Sequence, residues 1–328
     1  MKAKIIAGIG IVVLVAALAF SMKPKPFDEQ FESKMNDMDS YILSGDMEIT
    51  KGEDVKTYAL EVGYQKDEKD LFKVSLVDKE LNQEQVILRN DGGVFVVTPS
   101  LNQVFKFEGD WPLNSPKPYL LQSIAEIVKS DKAEITKKDD GYLVSSKVTY
   151  PNNKNFNQEE IMFDKDANLK WIQIYNSDHA VQLKIVFNKC TYDSKMKKDY
   201  FKTPEALDSK TSTNGISEED LPLYPVQVFD ADLQKVSKMN TGAQMKHVLE
   251  YAGEKNFTVV ESMRKAVPET QTVLMPGEMV DSLDVVGFYD GNHMSVIHNG
   301  VEYSVYSEEL GPEEMMQVIN SMQVAVMK

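Results

Sequence analysis

A chain of 328 residues is long enough for about two domains, and its net charge of −15 argues against nucleic acid and against a surface that clings to anionic lipid. The single cysteine, Cys190, allows no internal disulfide, so the fold must stand on core burial. Only two arginines, Arg89 and Arg264, accompany the many lysines, and this scarcity of guanidinium forks lowers the case for an enzyme acting on phosphorylated substrates.

The first segment, residues 1–26, starts with Lys2 and Lys4 and then runs from residue 5 to residue 22 without a charge. At ~1.5 Å per residue such a run spans about 27 Å, enough for a bilayer core. It reads as an uncleaved N-terminal membrane anchor. A cleaved signal peptide is the alternative, because Ala17-Leu18-Ala19 offers a weak cleavage site. No cysteine follows the run, so a lipid-modified cysteine is excluded. Either reading puts the bulk of the chain outside the cytoplasm: held at the cell membrane by the anchor, or secreted if the segment is cleaved.

Residues 27–38 carry Phe27, Phe31, Met35 and Met38 at helical spacing. From Tyr41 the period changes to two. Tyr58, Leu60, Val62 and Tyr64 share one face of a strand, and Phe72, Val74 and Leu76 share a face of the next. A turn at Asn90-Asp91-Gly92-Gly93 leads into a hairpin, Val94 to Thr98 and Gln103 to Glu108, joined by Pro99-Ser100-Leu101-Asn102. Phe105 and Phe107 lie opposite Val104 and Lys106. The pattern is an antiparallel meander of half-buried strands. A proline-rich loop then enters a helix expected over residues 118–129, with an apolar stripe of Leu120, Leu121, Ile124, Ile127 and Val128. Strands resume, turning at Asp166-Ala167-Asn168 and Asn176-Ser177-Asp178, and the last of them alternates Val181, Leu183, Ile185 and Phe187 with Gln182, Lys184 and Val186.

The polar stretch at residues 205–220 reads as a linker between a first domain, residues 27–204, and a second, residues 221–328. The second unit supplies a hairpin with turns at Asp290-Gly291-Asn292 and Asn299-Gly300. Pro312 opens its closing helix, with Glu313 and Glu314 in the first turn and Met315, Val318, Ile319 and Met322 on the buried face. The fold class is α+β: an N-terminal membrane anchor, an incomplete antiparallel β-barrel, in effect a curved sheet, capped by helices, and a second, smaller α+β domain.

Nothing in the sequence points to catalysis. Nucleophile-elbow, phosphate-loop, dinucleotide and zinc signatures are all missing. His293 and His298, five apart on a hairpin, face opposite ways. Cys190 ends an apolar strand and reads as a buried inert thiol. Acid pairs such as Glu159-Glu160 and Glu308-Glu309 read as solvated faces or helix starts. The protein is expected to be no enzyme and to use no cofactor. The feature left for function is the set of apolar strand and helix faces: Leu60, Val62, Phe72, Val74, Phe105, Phe107, Leu120, Ile124, Leu183 and Ile185. These are either plain core or the wall of a hydrophobic cavity between curved sheet and helix. An acyl chain in such a cavity gains ~0.8 kcal/mol per buried methylene.

The order helix, meander, proline-rich loop, helix, meander, together with the hairpin Asp91-Gly92-Gly93-Val94-Phe95-Val96-Val97-Thr98-Pro99 and the later Phe105-Lys106, resembles the superfamily of the lipoprotein carrier LolA, its receptor LolB and the sigma-factor regulator RseB. With its ending YSVYSEELGPEEMMQVINSM, the whole chain is similar to a Gram-positive branch that includes the sporulation protein YdcC and, for the first unit, the germination lipoprotein GerS. The resemblance implies an incomplete antiparallel barrel with an apolar cavity and no catalytic residues. It also implies a non-catalytic extracytoplasmic module, linked to sporulation or germination, that holds an envelope protein such as a cortex-processing amidase. Two alternatives stay open: a lipid or lipopeptide carrier using the cavity, and an envelope stress sensor of the RseB type.

Overall fold

A computed structural model describes residues 25–52, 54–112, 117–150, 153–207, 216–242, 244–275 and 277–324. The expected anchor at residues 5–22 lies outside them, as does the middle of the expected linker, residues 208–215. Among the described residues no helix is long and apolar enough to cross a membrane.

Strand β1 (Ser40–Lys51) pairs along its whole length with β2 (Asp54–Gln65), and the meander continues through β3 (Leu71–Asp78), β4 (Glu84–Asn90), β5 (Gly93–Thr98) and β6 (Gln103–Phe107). On its other side β1 pairs with β11 (Val181–Tyr192), from which β10 (Leu169–Tyr175), β9 (Gln158–Asp164), β8 (Gly141–Lys147) and β7 (Glu134–Lys138) extend in reverse chain order. The register between β1 and β11 shifts at Ser44/Gly45. Gly45 is required there, since a Cβ would lie 2.2 Å from the Val186 carbonyl oxygen. A bulge of this kind bends the sheet where its two halves join. The sheet stays open, with β7 at one edge. At the other edge it gains a strand from the second unit: β16 (Gln271–Leu274) pairs in parallel with β6, Gln271 opposite Gln103 and Val273 opposite Phe105. The twelve-stranded sheet is therefore antiparallel except at that edge.

Helix α1 (Phe27–Asp37) sets Phe27 and Phe31 against Phe163, at ring distances of 5.0 Å each, and Phe27 also stacks on Tyr142. Helix α2 (Leu121–Val128) lies over the concave face with Leu121, Ile124 and Val128 buried. It begins at Leu121 rather than at residue 118, because Leu120 is extended and the Ser123 hydroxyl oxygen accepts the Lys117 backbone N–H at 2.9 Å, closing a turn ahead of the helix.

Strands β4 to β6 depart from the half-buried pattern. Their outer face carries its own cluster, Val86, Leu88, Phe95, Val97 and Val104, closed by Phe201 from the segment after β11. Asn90 Nδ2 donates to the Phe201 carbonyl at 2.8 Å, and Tyr200 donates its hydroxyl to Glu61 at 2.8 Å. The Tyr200 ring lies where a Cβ on Gly63 would come within 2.5 Å of it, so glycine at 63 is what admits this strap.

Glu159 is also not solvated. Period-2 alternation puts it on the concave side with Ile161 and Phe163; it is fully buried, and Tyr150 donates its hydroxyl to it at 2.6 Å. Burial pushes its carboxyl up to about 8, with the Tyr150 hydrogen bond opposing. Between the ordinary carboxylate range and pH 8 the folded state thus holds a proton that the unfolded chain releases, and stability falls as pH rises through that window. The Glu159→Gln variant is expected to lose this slope, up to about 1.4 kcal/mol per pH unit, in urea denaturation from pH 5 to 8. Parallel curves for parent and variant across that range would contradict the assignment.

The second unit is a seven-stranded antiparallel sheet in the order β13 (Ala231–Asn240), β14 (Met245–Gly253), β15 (Phe257–Met263), β20 (Val301–Tyr306), β19 (His293–His298), β18 (Val286–Tyr289) and β17 (Glu278–Asp281). Helix α3 (Pro312–Asn320) packs Met315, Met316, Val318 and Ile319 onto it. The Glu314 carboxylate accepts the Gly311 N–H at 3.1 Å and fixes the helix start. Strands β12 (Leu223–Pro225) and β21 (Met322–Val324) pair beside it.

Candidate binding site

All ten residues singled out on the strand and helix faces meet in one core. Val62, Phe72, Val74, Ile124, Leu183 and Ile185 are 0% exposed, and Leu60, Phe105, Phe107 and Leu120 are 2–3% exposed. Their convergence follows from alternation: antiparallel register places Leu60 opposite Leu76, Val62 opposite Val74 and Tyr64 opposite Phe72, so each strand turns its apolar set the same way.

The second unit covers part of this face. Phe288 of β18 lies parallel to Phe107, ring centres 4.6 Å apart at 11°, and leans on Phe105 at 5.8 Å. Leu283 and Val286 join the same core. The opening between the end of β6 and β17 is a cleft of about 300 Å³ bordered by Phe107, Trp111 and Met279.

Around this apolar contact lies a buried ring of charge. Asp281 accepts the Trp111 indole N–H at 2.8 Å and the Leu283 backbone N–H at 2.8 Å, and it meets Lys117 Nζ at 3.3 Å, with both side chains of that ion pair at most 3% exposed. Asp284 accepts the Tyr58 hydroxyl at 2.9 Å and meets Lys51 Nζ at 3.1 Å. Burial alone would push the Asp284 carboxyl up, but Lys51 and its neighbours hold it below the usual carboxylate range. His298 is partly buried nearby; burial and then Lys56 push its imidazole down to about 3, so it is neutral at physiological pH. Sequence patterning does not reveal Asp281, Asp284, Lys117 or Phe288 as contact residues, because their partners lie across the two units and leave no local period. Trp111, flanked by Asp110 and Pro112, carried only the hint that an indole seeks a partner for its N–H.

Cys190 and His293 are each engaged by a neighbour. Cys190 is partly buried and donates to the Leu169 carbonyl at 3.3 Å, and burial pushes its thiol up, away from thiolate chemistry. His293 stacks on Tyr306 at 4.3 Å. Among the described residues no group of histidine, cysteine and carboxylate side chains has the arrangement of a metal site.

No protein-family model matches the chain. It is similar to the sporulation protein YdcC of Bacillus subtilis (strain 168), at 30% identity over 300 residues that cover 89% of this chain and 88% of that protein. Among solved structures it is similar to a chain of the MucA/MucB complex of Pseudomonas aeruginosa, at 12% identity and a TM-score of 0.33, covering 92% of this chain and 99% of that one. It is also similar to a chain of the CwlD amidase from Clostridioides difficile in complex with the GerS lipoprotein, at 14% identity and a TM-score of 0.26, covering 54% and 99%. Both structural likenesses are distant.

Proposed function

The chain belongs to the family of the sporulation protein YdcC, and from that premise we propose that it is a non-catalytic binding module of the cell envelope whose ligand is a partner protein. Residues 5–22 tether it to the membrane and the bulk of the chain stands outside the cytoplasm, where it serves sporulation or germination. The observation that carries the protein-partner reading is the cover that the second unit lays over the β6 end of the concave face. Phe288, lying flat on Phe107 and against Phe105, takes the place an acyl chain would need. Contact then falls to edges and outer surfaces. Leu274 on the edge strand β16 is 63% exposed and Met239 on the edge strand β13 is 56% exposed. Such edges are templates for pairing with another chain. A cell-wall amidase is the first partner to test.

The experiment is co-purification of the full chain from sporulating cells in mild detergent. A stoichiometric protein is expected. An acyl species bound one to one, with no protein, would sink the reading in favour of a lipid carrier. Protease treatment of intact protoplasts is expected to remove the bulk of the chain, and full protection would overturn the topology.

A further inference from the structure

The second sheet carries one residue from each of four neighbouring strands into a transverse row. Lys238 on β13 is opposite His247 on β14, His247 is opposite Glu261 on β15, and Glu261 is opposite Tyr303 on β20. Directly opposed residues share a face of the sheet. His247, Glu261 and Tyr303 are at most 3% exposed, on the face where Leu249, Val259 and Val305 form the core under α3. At the row this apolar packing gives way to a cavity of about 510 Å³, bordered by Glu218, Lys238, His247, Met263, Arg264 and Lys265.

Three observations make this place unlike ordinary surface. First, His247 lines the cavity with a side chain 1% exposed, and its Nδ1 has no hydrogen-bond partner among the described residues, while its Nε2 lies 3.8 Å from Glu218. Second, Oε1 of the adjoining Glu261 is buried and equally without a partner, its Oε2 being taken by the Leu223 backbone N–H at 2.9 Å. Buried polar atoms are paired in the great majority of cases, so an orphan imidazole nitrogen on a cavity-lining residue, with an orphan carboxylate oxygen opposite it on the next strand, needs an explanation. Third, the lining is locally cationic in a chain of net charge −15: it holds Lys238, Arg264 and Lys265 and one carboxylate, Glu218, while Arg264 Nε lies 3.3 Å from Glu302 and the buried Glu261 stands opposite His247, outside the lining. One of the chain's two arginines is thus committed here.

We infer that the second unit holds a binding site for a small organic anion, a carboxylate or phosphate carried on a short apolar body, seated over His247 between Lys238 and Lys265. The lysines supply charge from the rim and Met245 and Met263 supply the apolar wall. Burial, and then Lys238, push the free imidazole below its ordinary value. An anion close to Nδ1 favours the protonated ring, which then donates from both nitrogens, to the ligand and toward Glu218. The site is independent of whatever partner the first sheet holds.

The test uses the full chain in a non-ionic detergent with carbon-13 labelled histidine, which gives four ring signals, from His179, His247, His293 and His298. Inorganic phosphate and, separately, hexanoate are titrated in the millimolar range. The His247 signal is expected to move saturably toward the protonated position. In the Lys238→Gln/Lys265→Gln variant, whose two sites are exposed and tolerate the change, affinity is expected to fall at least about tenfold. Lys129→Gln, beside Glu32 on the first unit, is expected to leave binding unchanged. A response to phosphate alone assigns a phosphate-bearing ligand, and a stronger response to hexanoate assigns a carboxylate on an apolar body. No saturable movement of the His247 signal with either anion, or the same affinity in the double variant, overturns the site.

Discussion

Replacing Asp281 by alanine is expected to remove about 3–5 kcal/mol of stability, the usual loss when one member of a buried ion pair is deleted. Asp281 is the point at which the second unit grips the first. Its carboxylate accepts the Trp111 indole N–H, meets Lys117 and receives the Leu283 backbone N–H, all with almost no solvent access. Alanine takes away the acceptor that serves both Trp111 and Lys117 and leaves those polar groups to adjust inside a closed contact. Asp281→Asn keeps an acceptor for the indole but not the charge, and is expected to fall between parent and alanine. Urea denaturation at pH 7 measures both. With a total stability on the order of 5–15 kcal/mol, the alanine variant loses a large share of what holds the fold. A loss below about 1 kcal/mol would place this ion pair among weak surface contacts and contradict its structural role.

Phe107→Ala and Phe288→Ala are each expected to cost about 3–5 kcal/mol, because each deletes a ring from a filled core. Phe107 is 2% exposed and Phe288 6% exposed, and their parallel stacking at 4.6 Å ties a strand of one unit to a strand of the other. The double variant should lose less than the sum by ~0.5–1.5 kcal/mol, the coupling of an aromatic pair. Were the Phe107 ring to face an open acyl-chain cavity instead of the Phe288 ring, its truncation would barely change stability and Phe288 would not couple to it. Thermal denaturation of the two single variants and the double variant distinguishes the cases.

Much of the first sheet was legible because a half-buried strand writes its fold in period two. Leu60 and Val62, Phe72 and Val74, and Leu183 and Ile185 all face the same core, and the turns at residues 90–93 and 99–102 fall where glycine, proline and asparagine place them. The closing helix was equally plain, since Pro312, Glu313 and Glu314 mark its first turn. What escaped was non-local. The outer cluster over β4 to β6 depends on Tyr200 and Phe201, which return from a stretch without periodicity. Strand β16 is only Gln271–Leu274, too short to show alternation, and it joins a sheet that its own unit does not build. Glu159 shows the limit from the other side: its spacing from Ile161 and Phe163 put it inward, but a carboxylate beside Glu160 invites a solvated reading. The pairing of Phe288 with Phe107, and the ring of Asp281, Lys117, Asp284 and Lys51, arise only once the two units meet.

The chain's own side chains cover the concave face beside β6, which leaves edges and outer surfaces to bind protein. Titration of residues 25–328 with a fluorescent fatty-acid probe is the deciding measurement. No saturable uptake by the parent protein is expected, with uptake appearing only when Phe288→Ala opens the space over Phe105 and Phe107. Binding of one probe per parent chain, unchanged by Phe288→Ala and abolished by bulkier residues at Leu60 or Val74, would contradict it.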